Sequence, residues 1–207
     1  MNELQNLLIG IPECTANLQL PDPKLRDYYL DEQDRIFWVD SQIDETLLDL
    51  VKMIIRCNKE DQNKAVEDRM PIRVFIDSPG GDVCALWTTI KAIELSKTPV
   101  YTINYCAAYS AAGDLLAAGH KRYALPGTTV MVHTGSCMYG GDVEKVESMK
   151  NYFDKLSKKI SDYFLSHTKV DPKVFKRKSK VDWYMDENEA LSNGVIDEIV
   201  KDFDVLY

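Results

Sequence analysis

An α/β chain of repeated β-α-β units with a long projecting helix is what the sequence predicts. Three observations carry that prediction. Through the middle of the chain, short apolar runs alternate with segments of helical periodicity. Turn residues, above all Ser78-Pro79-Gly80-Gly81, mark a change of period. One unbroken amphipathic stretch then spans residues 142–166. Alternation of this kind implies right-handed crossovers and a largely parallel sheet.

Residues 1–33 show no clear period and include Pro12, Pro21 and Pro23. They read as an extended N-terminal arm ahead of a single domain over 34–207. Residues 35–40, Arg-Ile-Phe-Trp-Val-Asp, form a short apolar strand. Ser41 and Asp44 then cap a helix whose apolar face is Leu47, Val51, Ile54 and Ile55. The charged stretch 58–70 is long for a connection and reads as irregular. A strand at 73–77 ends in the 78–81 turn, after which Val83, Leu86, Trp87, Ile90 and Ile93 recur at helical spacing. Residues 99–104 give the next strand and lead into a small-residue helix through Ala117. A short strand at 122–124 and an apolar one at 128–133 follow.

The glycine-rich stretch 135–141 precedes the long helix, whose apolar positions include Val143, Val146, Met149, Phe153, Leu156 and Ile160. At 1.5 Å per residue it extends for about 35–40 Å. That length exceeds most helices of a domain this size, and the expectation is a helix reaching outward to meet another subunit. Asp171-Pro172 starts a short helix. Asp186 and Glu189 form a capping pair for another, which ends at Asn193-Gly194. Residues 195–200 close the chain with a strand.

Composition excludes several classes. The chain has 207 residues, 45% of them hydrophobic, which is ample for one domain with a sizeable core. Its 25 Lys+Arg against 33 Asp+Glu leave a net charge of −8, which argues against nucleic acid as a general partner. No apolar run approaches the ~18–20 residues that span a bilayer, so no membrane partner is expected. The N-terminus lacks a basic residue before the apolar 7–11 stretch and carries Glu3, unlike a secretory signal. Cys14, Cys57, Cys84, Cys106 and Cys137 are odd in number, widely spaced and without a C-x-x-C pair. They read as free thiols in a reducing cytoplasm, with no metal site and no cofactor.

The chain has three histidines, so a search for a nucleophile–base pair is short. His120 lies in a turn-like Gly-His-Lys-Arg segment and His167 near the end of the long helix, and both read as solvated. His133 ends the apolar strand Val130-Met131-Val132, where ligand sites of parallel sheets gather beyond the strand ends. Ser110 follows a strand and opens a helix of small residues: Ala107, Ala108, Ala111, Ala112, Gly113. Small residues permit a sharp strand-to-helix turn that exposes a hydroxyl beside free N–H groups, although tight packing alone also selects them. The glycines of the 78–81 turn can present backbone donors to an anion. Gly81 and Ala111 are the candidate oxyanion donors.

In order along the chain, these segments resemble the Clp peptidase subunit family, ClpP. Phe75-Ile76-Asp77-Ser78-Pro79-Gly80-Gly81-Asp82-Val83 is similar to that family's INSPGG.V segment. The run from Ala107 through Ser110 to Gly119 resembles its nucleophile helix, with Tyr109 substituted before the serine. Arg122-Tyr123-Ala124-Leu125-Pro126 and Val130-Met131-Val132-His133 resemble its histidine strand. Asp182-Trp183-Tyr184-Met185, with Glu189-Ala190 and Gly194-Val195-Ile196-Asp197, resembles its acidic segment. The resemblance runs from about residue 34 to residue 200.

It implies a crotonase-type ClpP-like fold and a Ser110–His133–Asp182 triad, with the long helix as a handle over 134–168. It further implies a serine endopeptidase that hydrolyses unfolded polypeptides or short peptides inside a homo-oligomer of stacked rings, by resemblance a tetradecamer. A partner AAA+ unfoldase and a cytoplasmic setting go with it.

Several positions depart from the family pattern. Ala111 stands where methionine is usual, Thr134-Gly135 follow the histidine, and Lys180-Val181 precede Asp182 beside Lys173, Lys176, Arg177 and Lys178. Arg73 stands where an aromatic lines the family's unfoldase-docking pocket. Asp114 replaces an apolar residue one turn after Ser110, and its expected orientation is toward solvent or a cation. These departures motivate an alternative, a catalytically weak ClpP-like scaffold subunit working with an active paralogue. A viral-type maturation protease and the acyl-CoA chemistry of related crotonases are further alternatives.

Overall fold

The computed structural model describes residues 23–135 and 140–207. Residues 23–33 depart from the extended arm expected for 1–33: helix α1, Pro23–Gln33, occupies them. Leu25, Tyr28 and Tyr29 are exposed, so the helix has no apolar stripe that periodicity could reveal. It docks through polar contacts. Asp31 accepts a hydrogen bond from the Trp38 indole at 3.0 Å, and Glu32 pairs with Arg56. The rest of the arm, with Pro12, Pro21 and Cys14, lies outside the described residues.

Strand β1, Ile36–Val39, enters a sheet of seven strands among the described residues. Asp44 caps a 3-10 turn, Glu45–Leu47, by accepting from the Thr46 N–H, and helix α2, Leu48–Glu60, follows. Its buried face is Leu50, Met53, Ile54 and Cys57, one step round from the expected stripe, and Ile55 is exposed. Residues 61–70 are better ordered than an irregular connection. Asp61 accepts from Arg35 at 2.5 Å and from Thr98 at 3.1 Å, which ties the end of α2 to the start of β1. The Arg35 guanidinium holds the Asp61 carboxyl well below the usual carboxylate range.

Strand β2, Ile72–Ser78, helix α3, Val83–Leu95, and strand β3, Val100–Tyr109, form the first full β-α-β unit. β1, β2 and β3 pair in parallel, as does strand β4, Lys121–Ala124, with β3. β3 runs five residues beyond the strand expected at 99–104, because Ala107, Ala108 and Tyr109 pair with Thr129, Val130 and Met131. These three belong to strand β5, Thr129–Val132. The expected small-residue helix therefore starts only at Ala111: helix α4, Ala111–Ala117. The core lies between β2, β3 and their crossover helices, where Ile72, Ile76, Leu86, Ile90, Ile93 and Leu116 are fully buried.

The long helix is α5, Val143–His167. Its buried residues, Leu156, Ile160, Tyr163 and Phe164, all lie in the second half. Val143, Met149 and Tyr152 on the first half are exposed, so that half projects from the core. Helix α6, Pro172–Lys178, starts at an Asp171 cap and ends in a basic turn. Strand β6, Trp183–Asp186, pairs antiparallel with β5. A capping box of Asp186 and Glu189 starts helix α7, Glu187–Ser192, and strand β7 is only Glu198–Ile199, shorter than the 195–200 expected.

The chain end folds back onto the sheet. Arg73 is buried in β2, where its guanidinium donates to the Leu206 and Asp34 carbonyls and lies 4.6 Å from the Tyr207 ring centroid. Cys57, Cys84 and Cys106 are free thiols, while Cys137 lies outside the described residues. No helix among the described residues is long and apolar enough to cross a membrane.

Candidate active site

Ser110 stands at a sharp corner between β3 and α4. Its N–H donates to the Met131 carbonyl at 2.8 Å, the last rung before the turn. Its backbone adopts φ 55° and ψ −123°, a conformation a non-glycine residue holds only when its surroundings impose it. Those surroundings consist of very close packing. A Cβ added to Gly80 would lie 2.5 Å from the Tyr109 carbonyl and 2.8 Å from the Ser110 Cβ. A Cβ on Gly113 would lie 3.0 Å from the Met131 carbonyl. Ala111 and Ala112 are buried beside them. The run of small residues is thus required by backbone approach, and it projects the hydroxyl from the corner.

His133 follows β5 and Asp182 precedes β6. The antiparallel register pairs Thr129 with Asp186 and Val132 with Trp183, so the next position sets His133 opposite Asp182. Ser110 Oγ lies 2.6 Å from His133 Nε2, and His133 Nδ1 lies 3.3 Å from Asp182 Oδ1. With Nε2 accepting the serine proton, the ring proton sits on Nδ1 and faces Asp182. The Asp182 side chain is 53% exposed, against 19% for His133. Beyond His133 the chain is anchored by the Thr134 N–H, which donates to the carbonyl of buried Ser179 at 2.8 Å.

Two backbone donors adjoin this pair. The Ala111 N–H opens α4, and the Gly81 N–H lies in the loop between β2 and α3. Neither has an acceptor among the described residues. The loop is fixed on its far side, where the Ile43 N–H donates to the Gly80 carbonyl and the Asp82 N–H to the Ile43 carbonyl, each at 2.8 Å. A Cβ on Gly81 would lie 2.1 Å from the Ile43 carbonyl oxygen, so only glycine fits. Gly80 in turn abuts the Ala111 amide nitrogen. Both donor segments therefore meet at the Ser110 corner.

A cleft beside the pair is lined by Ser110, Ala111, His133, Asp114, Ser157 and Ser161, among others. Asp114 corrects the expectation of a solvent-facing or cation-bound carboxylate. It is half-buried in the cleft wall, without an ion pair or hydrogen bond to its carboxyl among the described residues, and burial pushes its pKa up to about 8. Ser157 and Ser161 were not singled out in the sequence, since they look like solvated positions of a long helix. Their spacing on the same face as Ile160 and Phe164 is the signal that would have found them.

The other histidines sit elsewhere, around a second cleft with Arg122 and Tyr163. Both are exposed, as expected, and each is also held in place. His120 Nδ1 accepts from the Val100 N–H at 2.9 Å, and the His167 ring stacks on Tyr163 at 3.8 Å. No group of three or more His, Cys, Asp and Glu suited to a metal ion occurs among the described residues.

The family model described as Clp protease matches residues 27–203. An ATP-dependent Clp protease proteolytic subunit from Deinococcus radiodurans is 28% identical over 171 residues, which cover 81% of each chain.

Proposed function

The chain belongs to the Clp protease family, a ClpP-like serine-type peptidase, and on that premise we propose that Ser110, His133 and Asp182 carry its chemistry. The observation that carries this reading is the 2.6 Å contact between Ser110 Oγ and His133 Nε2. Ser110 attacks a peptide carbonyl while its proton passes to His133 Nε2, and the Oγ–C bond forms as the carbonyl becomes a tetrahedral oxyanion. Asp182 faces the Nδ1–H and stabilises the imidazolium. The Gly81 and Ala111 N–H groups donate to the oxyanion. His133 then returns the proton to the departing amine, the C–N bond breaks, and an acyl-enzyme remains. Water hydrolyses it by the same steps in reverse order.

The substrates in this reading are unfolded polypeptides or short peptides, and the active unit is a homo-oligomer of stacked rings. Residues 34–207 form one peptidase domain, with 134–168 as the handle between rings. The exposed Val143, Met149 and Tyr152 on the projecting half of α5 support a contact of that kind. Docking of an AAA+ unfoldase belongs to the same proposal.

Hydrolysis of a fluorogenic peptide by the purified full chain tests the catalytic part. Turnover that disappears in Ser110→Ala and His133→Ala is expected. Robust turnover without any paralogue eliminates the weak-scaffold alternative. Turnover that persists in Ser110→Ala contradicts the assignment.

A further inference from the structure

We propose that Asp114 determines substrate preference, so that the cleft beside Ser110 takes a small hydrogen-bonding side chain, such as serine, threonine or asparagine, next to the bond being cut. The inference rests on Ser110 and His133 being the reacting pair. Asp114 lies four residues after Ser110, its N–H donates to the Ser110 carbonyl at 3.1 Å, and both residues line the cleft.

The unpaired Asp114 carboxyl sets the chemistry of the cleft. Asp114, Ser157 and Ser161 supply the polar part of a lining that Val83, Ile160 and Phe175 complete. The Asp114 carboxyl has no partner among the described residues, so a side chain that hydrogen-bonds to it recovers interactions lost on burial. An apolar side chain would seal the carboxyl away from water without replacing them.

Among the described residues, the surrounding elements supply no counter-charge. α3 contributes Val83, α5 contributes Ser157, Ile160 and Ser161, and α6 contributes Phe175. His133, beyond β5, is the other titratable group in the lining. Lys158 is paired with Asp162 on the exposed face of α5. Burial raises the Asp114 pKa to about 8, which favours the protonated carboxyl near neutral pH, able both to donate and to accept. Above that pH it becomes a carboxylate beside the site where the oxyanion develops, and acylation slows.

The test uses fluorogenic peptides and matching peptidyl phosphonates that differ only in the residue before the scissile or reactive centre: Ser, Thr, Asn, Leu, Phe or Lys. Turnover and the rate of Ser110 modification are both read, on the full-length wild type, Asp114→Leu and Asp114→Asn. The wild type should favour Thr and Asn over Leu and Phe on the order of 10–100-fold in kcat/KM or in modification rate. Asp114→Leu should reverse that ranking. Asp114→Asn should keep it and lose the decline in rate that the wild type shows as pH rises through about 8. Preference for Leu, Phe or Lys in the wild type overturns the proposal, as does an unchanged ranking in a folded Asp114→Leu protein. If Asp114→Leu does not fold, the wild-type ranking and the Asp114→Asn pH profile decide. A generic fluorophosphonate separates the two levels. If it labels Ser110 while the ranking is apolar, this inference alone fails; if it does not label Ser110 and no peptide is cut, the peptidase assignment fails first.

Discussion

The two halves of the site are built in opposite ways. Ser110 sits on a corner set by close backbone and buried residues: Gly80 against the Tyr109 carbonyl, Gly113 against the Met131 carbonyl, Ala111 and Ala112 within the core. Asp182 is 53% exposed and reaches His133 only through the register of two four-residue strands. The nucleophile's position is therefore coupled to the stability of the fold, while the acid's position depends on a surface pairing. Substitutions in the first half should change activity and stability together, and those in the second should change activity alone.

The largest effect expected is from Ser110→Ala, with kcat down by up to about 10⁶-fold. Asp182→Asn comes next, at about 10⁴-fold, because the imidazole loses its orienting partner and its preferred tautomer. Its melting temperature should stay within about a degree or two of the wild type, since an exposed carboxylate contributes little to stability. Differential scanning fluorimetry alongside peptide turnover reads both quantities, and a large thermal loss in Asp182→Asn would break the contrast. Gly80→Ala sharpens it from the other side. A methyl 2.5 Å from the Tyr109 carbonyl must displace the Ser110 corner, with a loss of about 10²-fold in rate together with a lower melting temperature.

Much of the fold is legible in the sequence because its crossovers repeat a strand, turn and amphipathic helix. The exceptions share a cause. Ala107 and Ala108 read as helix because alanine favours helices, yet pairing with β5 overrides that propensity. Trp183-Tyr184-Met185-Asp186 alternates buried and exposed as a strand should, but four residues are too few to register as a period. α1 carries no apolar period because it docks by polar contacts. In the site, Ser110, His133, Gly81 and Ala111 stand out by residue type and place, whereas Asp182 is one of 33 acids and stands out only through family resemblance. Asp114 reads as solvent-facing because carboxylates are usually solvated, yet it is half-buried in the cleft wall. Its burial depends on α5 crossing the cleft, a contact between segments far apart in the chain.

Away from the site, the Arg35–Asp61 pair gives the smallest expected effect on catalysis and a clear one on stability. Both side chains are buried, so Arg35→Ala should cost about 3–5 kcal/mol by leaving the carboxylate uncompensated. The sign of its pH dependence follows from a folded pKa held below the ordinary 3.8. The pair's contribution is present above that ordinary value and is lost as pH falls through the folded one. Urea unfolding between pH 7 and pH 3 should show the wild type losing stability on acidification, with Arg35→Ala losing less.

Mapping a fluorophosphonate adduct by peptide mass spectrometry tests the central assignment most directly. The account predicts one modified residue, Ser110, with labelling absent in Ser110→Ala and strongly slowed in His133→Ala. A folded wild-type protein that takes no label, or takes it on another serine such as Ser78, would contradict it.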